Sequence, residues 1–284
     1  MNIKYKIILT IIAIIIIIGL IYLYAYFFGR KGLITKEYKV EVNSFVSEYD
    51  GYKIAHISDL HYGNHMSIEN VDKLVEQVNS LKPDLIFITG DLVDDKITSA
   101  QHNELVKSLS KLKANVNKYI VNGNHDTYYK NFDKLISDIN FINLNDTSTK
   151  IYLSKNNFIF IAGISDSIFN NKDIKDRYTE IENELKKEDM TDCVLKLLIM
   201  HEPDYIDEID YSNFDVILCG HSHNGQVRIP FIGSIYEPIG SKKYYKEYYK
   251  LDNTNLYISS GVGVSWLPIR LFNKPSFNLY RIAK

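Results

Sequence analysis

The run Leu85-Ile86-Phe87-Ile88-Thr89-Gly90-Asp91-Leu92-Val93-Asp94 decides the fold. Its first half, LIFIT, is apolar or β-branched throughout and too short for a helix. Pro83-Asp84 precede it and Gly90 ends it, so it reads as a buried strand that stops at a carboxylate. Upstream, Ile68, Val71, Leu74, Val75 and Val78 recur at helical spacing behind Ser67, a suitable N-cap, and Pro83 and Asp84 break that helix. Lys53 to Ser58 reads as the strand before it. Downstream, Leu105, Leu109 and Leu112 mark a helix, Tyr119 to Val121 a strand, and Phe132, Leu135, Ile136 and Ile139 another helix. This β-α-β-α-β order predicts a sheet with crossover helices.

The second half is richer in strands: Ile151 to Leu153, Phe158 to Ala162, Leu195 to Met200, Val216 to Cys219, Gln226 to Ile229, Leu256 to Ser259 and Phe277 to Ile282. Residues 171–190 are charged with a helical pattern. No repeat or low-complexity linker divides the chain, so the expected architecture is α/β, two packed sheets with helices outside. Tyr38 to Val42 alternates like a strand and is expected to dock on this domain. Residues 1–30 are expected to form an anchor, 31–52 a connecting segment with the first strand, and 53–284 the main folded domain.

Ile7 to Phe28 is apolar except for Thr10 and tyrosines, and contains Ile14 to Ile18 without interruption. At 1.5 Å per residue it spans a hydrocarbon layer of roughly 30 Å. Tyr22, Tyr24 and Tyr26 lie near one end, where amphipathic rings favour the interface. The stretch is long for a signal peptide, and no small-residue cleavage site follows. It is expected to be an uncleaved single-pass anchor, with the bilayer as partner of residues 7–28 and the cell membrane as location. Lys4 and Lys6 on one side and Arg30, Lys31, Lys36 and Lys39 on the other leave the side of the folded domain undetermined.

The chain has 284 residues, 45% hydrophobic and 24% charged, with a formal net charge of -2. That is the composition of a globular protein and lacks the basic excess of a duplex nucleic-acid binder. Cys193 and Cys219 are too few for a disulfide framework or thiolate zinc cage, and read as buried residues at strand edges.

Five segments put metal-type side chains directly after a predicted strand: Asp59-Leu60-His61, Gly90-Asp91-Leu92-Val93-Asp94, Gly123-Asn124-His125-Asp126, His201 before Glu202-Pro203, and Gly220-His221-Ser222-His223. Five of the eight histidines fall in these positions. Ligands of α/β sheets bind beyond the carboxyl ends of strands, so these ends are expected to pool one cluster. Imidazole, carboxylate and carboxamide suit Mn, Fe, Zn, Co or Ni. Glycines before Asp91, Asn124 and His221 let the backbone turn and approach the site. One carboxylate is able to bridge two cations roughly 3.5–4 Å apart.

The ordered set DxH, GDxxD, GNHD, a later His and GHSH resembles the calcineurin-like metallophosphoesterase superfamily from about Ile54 to Arg270. Gly225 to Pro230 (GQVRIP) and Leu267 to Phe272 (LPIRLF) are similar to a membrane-anchored bacterial phosphodiesterase branch, akin to UDP-2,3-diacylglucosamine pyrophosphatase-type enzymes. The resemblance implies a four-layer α/β/β/α sandwich. It also implies two divalent metal ions, manganese foremost, in a hydrolase of phosphodiester or pyrophosphate bonds acting by in-line attack of a metal-bridging hydroxide. Asp59, His61 and His223 would bind one metal, Asn124, His201 and His221 the other, and Asp91 both. His125 would stabilise charge or protonate the leaving oxygen, with Asp94 orienting it. Arg228 and His65 are the expected substrate contacts. Asn224 stands where Gly usually follows the histidine pair, and Ser276 follows Pro275 where an acidic residue is common; both bear on the substrate.

Among the remaining histidines, His56 is expected to be a packed residue within a strand and His102 to be solvated on a helix. Lys242 to Tyr249 reads as an exposed strand or loop, with a headgroup-facing patch as its sharper alternative. The substrate is expected to be membrane-associated or a nucleotide-lipid. No obligate protein partner or docking module is evident. The rival functional reading is a non-catalytic scaffold on the same fold that binds a membrane partner. A metallo-β-lactamase-like hydrolase would need an HxHxDH cluster, which the chain lacks.

Overall fold

The computed structural model describes residues 2–187 and 189–284. The chain begins with helix α1 (Ile3–Tyr24), which continues as a π-helical turn over Ala25–Gly29. None of the α1 side chains is buried. Ile3–Gly29 is a stretch of 27 residues, long and apolar enough to cross a membrane.

There follow β1 (Ile34–Glu41), β2 (Tyr52–Ile57), α2 (Ile68–Ser80), β3 (Leu85–Thr89), α3 (Ser99–Leu109), β4 (Asn117–Val121), α4 (Phe132–Asp138), β5 (Ile142–Asn143), β6 (Thr147–Tyr152) and β7 (Phe158–Ile164). After α5 (Ile174–Lys187) come β8 (Cys193–Met200), β9 (Val216–Cys219), β10 (Arg228–Ile229), β11 (Gly233–Ser234), β12 (Tyr248–Leu251), β13 (Thr254–Ile258) and β14 (Ser276–Ala283). One sheet has the order β1-β14-β2-β3-β4-β5 and the other β12-β13-β9-β8-β7-β6; β10 and β11 form a separate hairpin.

The layering follows from side-chain alternation along buried strands. Leu85 and Phe87 of β3 face the inter-sheet core, where they join Ile159 and Ile161 of β7 and Leu195, Leu197 and Ile199 of β8. Their neighbours Ile86 and Ile88 face the opposite way, into a layer built from α2, α3 and α4. Phe160 and Ala162 of β7 and Leu198 of β8 likewise meet Ile174, Tyr178 and Ile181 of α5. The result is two packed sheets with helices outside, as expected. β2, β3 and β4 are mutually parallel, as are β8 and β9, so each set presents its carboxyl ends together. β1 pairs with β14 along its whole length, which ties the chain leaving α1 to the domain.

His56 is buried in β2 between the hydroxyls of Thr89 (2.7 Å) and Tyr280 (3.2 Å). Burial holds its pKa near about 3, so the ring stays neutral. Cys193 and Cys219 are buried at the ends of β8 and β9. Three expectations need correction. His102 is not solvated; it is buried where α3 meets α4, with ring nitrogens 2.8 Å from the Tyr129 hydroxyl and 3.1 Å from an Asp138 carboxylate oxygen. The strand foreseen over Gln226 to Ile229 shrinks to two residues, because Phe231 and Gly233 adopt positive φ and fold the chain back. Lys242 to Tyr249 is not uniformly exposed. Tyr244 is buried, and the backbone N–H groups of Lys242, Lys243 and Tyr244 donate to the Asp204 carboxylate before β12 begins at Tyr248.

Candidate metal centre

Asp59 and His61 follow β2, Asp91 and Asp94 follow β3, Asn124 and His125 follow β4, His201 follows β8, and His221 and His223 follow β9. The two sheets thus deliver these side chains to one cleft. Five of them sit on backbone in the left-handed region: Asp59 (φ 53°), His61 (48°), Asp91 (52°), His221 (68°) and His223 (48°). That conformation costs about 1–2 kcal/mol for a residue bearing a Cβ. Its concentration at one cleft marks a place where backbone strain is spent on aiming side chains. Close approach is equally specific. A Cβ on Gly123 would lie 2.4 Å from an Asp91 carboxylate oxygen, and one on Gly90 would lie 2.6 Å from Gly123 N. Only glycines let these two strand ends meet.

Among the described residues two ligand-type groups are buried, Asp59, His61 and His223, and Asp91, His201 and His221; a third, His61, Asp94 and His125, is partly exposed. In the first, His61 Nε2 is 3.2 Å from His223 Nε2, which is 3.4 Å from Asp59 Oδ1. In the second, His201 Nε2 is 3.2 Å from Asp91 Oδ2 and 3.3 Å from His221 Nδ1. Asp91 Oδ2 also lies 3.6 Å from His61 Nε2, so one carboxylate touches both groups. Asn124 borders the same cleft.

The ring orientations are held from behind. His201 Nδ1 donates to the Thr89 carbonyl (2.6 Å) and His221 Nε2 to the Ile239 carbonyl (2.7 Å). Carbonyls only accept, so each bond fixes which nitrogen turns inward. His223 Nδ1 instead faces the Arg270 guanidinium at 3.2 Å. Arg270 is fully buried and also donates to the Gly261 and Gly263 carbonyls.

The donor set fits divalent cations. Asp59 Oδ2 and Asn124 Oδ1 are buried without a hydrogen-bond partner among the described residues. In each group imidazole nitrogens and carboxylate oxygens lie within 4.8 Å of one another, close enough to share one cation.

His125 lines the cleft, with Nδ1 2.8 Å from Asp94 Oδ1 and 3.1 Å from Asp95 Oδ1. Burial pulls its pKa down, but Asp94, Asp91 and Asp95 outweigh this and push it up to about 9. Burial alone would raise the Asp94 carboxyl; His125 and His61 reverse this and hold it below its ordinary range.

Some participants lay beyond the sequence reading. Asp126 is buried, accepts the N–H groups of Gly123 (2.9 Å) and Val93 (3.0 Å), and locks two of the loops together. Burial and the nearby Asp91 raise its pKa to about 7. Glu202 accepts the Ser167 N–H (3.0 Å), and burial raises it to about 8. Arg228 is outside the cleft; its guanidinium is bound to the carbonyl and side-chain oxygens of Asn224 at 2.7 and 2.9 Å. His65 is exposed and does not line the cleft.

A family model described as calcineurin-like phosphoesterase matches residues 52–225, more than half the chain and every residue of both ligand groups. The chain belongs to the calcineurin-like phosphoesterases. It is 28% identical over 268 residues to an uncharacterized metallophosphoesterase, YkuE, of Bacillus subtilis, covering 92% of this chain and 89% of that relative. It is 22% identical to a transmembrane protein with metallophosphoesterase domain from Danio rerio, covering 83% of this chain and 54% of that protein. Among solved structures, TT1561 of Thermus thermophilus superimposes with a TM-score of 0.52 at 13% identity, over 75% of this chain and 91% of that one. This last likeness concerns the fold. Family membership makes the protein a metal-dependent phosphoesterase by class, with divalent ions as its cofactors.

Proposed function

We propose that this phosphoesterase is dinuclear, anchored in the cell membrane by a single pass, and hydrolyses a phosphodiester or pyrophosphate bond of a membrane-associated or nucleotide-lipid substrate. The observation that carries the dinuclear reading is the position of Asp91, 3.6 Å from His61 Nε2 and 3.2 Å from His201 Nε2. Asp59, His61 and His223 would hold one cation, and Asn124, His201 and His221 the other, with Asp91 shared. Manganese is the expected pair. Bound there, the two cations supply Lewis-acid activation of water and neutralise charge developing at phosphorus.

The protein's own side chains do the rest. The carbonyls of Thr89 and Ile239 fix His201 and His221 in the tautomers that present a lone pair inward. His125 carries the proton for the leaving oxygen, and the Asp94 carboxylate keeps it charged and oriented. The membrane reading is supported by Ile3–Gly29 and by the transmembrane relative from Danio rerio. The GQVRIP and LPIRLF segments favour a nucleotide-lipid pyrophosphate over a protein phosphate.

Manganese-loaded full-length protein in detergent is expected to hydrolyse bis(p-nitrophenyl) phosphate, and nucleotide-diphosphate lipids in a parallel screen. A protein that binds two ions per chain yet turns over none of these substrates would instead be a scaffold on this fold.

A further inference from the structure

The wall of the metal cleft and the exit of the apolar helix belong to one continuous surface. Trp266, Leu267, Tyr236 and Pro238 line the cleft of 310 Å³ that contains Asp91 and His221. Phe272, farther along the same loop as Trp266, lines an adjoining groove with Tyr24 and Gly29. The loop between is fastened on both sides. Gln226 Nε2 donates to the carbonyls of Leu267 (2.6 Å) and Ile269 (2.9 Å), and Arg228 N to that of Leu271 (2.9 Å). On the helix side, Arg270 N donates to the Ala25 carbonyl (3.3 Å), and Lys274 Nζ to those of Phe28 and Lys31, each at 2.9 Å. The contact admits no side chain at Gly29, where a Cβ would lie 1.7 Å from the Arg270 carbonyl oxygen. The helix is therefore docked against the loop that walls the cleft.

This surface exposes large apolar groups. Trp266 is 86% exposed, and Phe231, Ile232, Tyr236 and Phe272 are exposed with it. They come from two loops, and the Gln226–Arg228 stretch leading into the first is bonded to the second as described. Such a cluster is unusual for a face bathed in water. Lys36, Arg228, Lys246 and Lys274 line the adjoining groove beside the helix, together with Glu247, which is ion-paired to Lys36. Aromatic and aliphatic groups bordered by basic side chains fit a lipid–water boundary, where indole and phenol rings concentrate and cations meet anionic headgroups.

We propose that this surface, formed by the Phe231–Tyr236 and Trp266–Phe272 loops, sits in the bilayer interface beside the anchor. The metal cleft then opens at the headgroup layer and receives a phosphoester whose lipid portion stays in the membrane. This rests on reading Ile3–Gly29 as a membrane span and the cleft as a phosphoesterase site. The occupant is the bilayer because the loops are continuous with the segment that enters it, and because their border is basic.

The chain contains a single tryptophan, Trp266, so its fluorescence reports this surface without labelling. The full-length protein is reconstituted into vesicles of phosphatidylcholine and phosphatidylglycerol, with bromine on the acyl chains in one set. Trp266 is expected to emit at shorter wavelength than exposed indole and to lose about half its emission to brominated lipid, with little quenching by aqueous iodide. Phe231→Ser/Ile232→Ser is expected to reduce lipid quenching about twofold while the helix keeps the protein on the vesicles. Quenching by iodide alone overturns the proposal, because the surface then faces water. Quenching by neither overturns it in favour of a second copy or another protein. Failure of the protein to float with vesicles breaks the anchor reading itself. The readout needs no catalysis: lipid quenching in an inactive protein would break the phosphoesterase reading and leave the bilayer surface standing.

Discussion

His201 and His223 are both buried beyond strands of the second sheet, 3.2 Å and 3.4 Å from the carboxylates Asp91 and Asp59 respectively. Their surroundings push their protonation in opposite directions. Burial disfavours charge on both. At His201 the carboxylates of Asp91, Glu202 and Asp59 reverse that and hold the ring well above its usual pKa. At His223, burial, His61 and the Arg270 guanidinium act together and drive it well below. The cleft attracts positive charge around Asp91 and His201, and does so less around His223. A proton on His201 and a cation would compete for the same carboxylate, so metal uptake is expected to release protons and to strengthen as pH rises. Arg270 can only donate, so His223 Nδ1 accepts and the neutral ring's proton lies on Nε2. Ligation through Nε2 requires that proton to pass to Nδ1, at the expense of the Arg270 contact. The His201 group is expected to fill first and the His223 group second.

Removing what the two groups share is the harshest way to break this comparison. Asp91→Asn is expected to lose both ions and to lower diester hydrolysis by more than roughly 10³-fold. Metal analysis and bis(p-nitrophenyl) phosphate turnover on one sample check this; full metal content and activity would mean that no carboxylate is shared. His125→Ala separates chemistry from binding. It is expected to keep both ions while turnover falls by roughly 10²–10⁴-fold, and less for substrates with very good leaving groups. In the parent enzyme, turnover that needs a proton on His125 falls at alkaline pH. Asp94→Asn removes a charge that holds that proton, so the falling limb moves to lower pH in a pH–rate profile.

Arg270→Gln carries the smallest expected effect and tests the asymmetry alone. Loss of the guanidinium charge should tighten the weaker ion by about tenfold and leave the tighter one nearly unchanged in calorimetric titration. Equal changes at both ions would dissolve the distinction between the groups.

What the sequence revealed follows the range of the contacts involved. LIFIT and FIFIA are readable as strands because both their faces are buried, which leaves uninterrupted apolar runs. The cleft residues are readable because each follows its own strand within a few positions. Arg270 and Asn273 act on His223 from 47 and 50 residues away, and a guanidinium on an imidazole or a carboxamide on a backbone carbonyl leaves no local pattern. His102 is polar on a helix and looks solvated until α4 is placed against it. The bilayer-facing proposal for the two loops has the same character. Phe231, Tyr236 and Trp266 are scattered in the chain, and only folding gathers them beside the cleft.

Both ligand groups are expected to act together in turnover, and hydrolysis followed against bound manganese shows whether they do. Metal-free full-length protein in detergent is titrated with Mn, and bound ion per chain and bis(p-nitrophenyl) phosphate hydrolysis are read at every point. Little hydrolysis is expected as the first equivalent binds and a steep rise as the second fills. Full turnover at one equivalent per chain would contradict it.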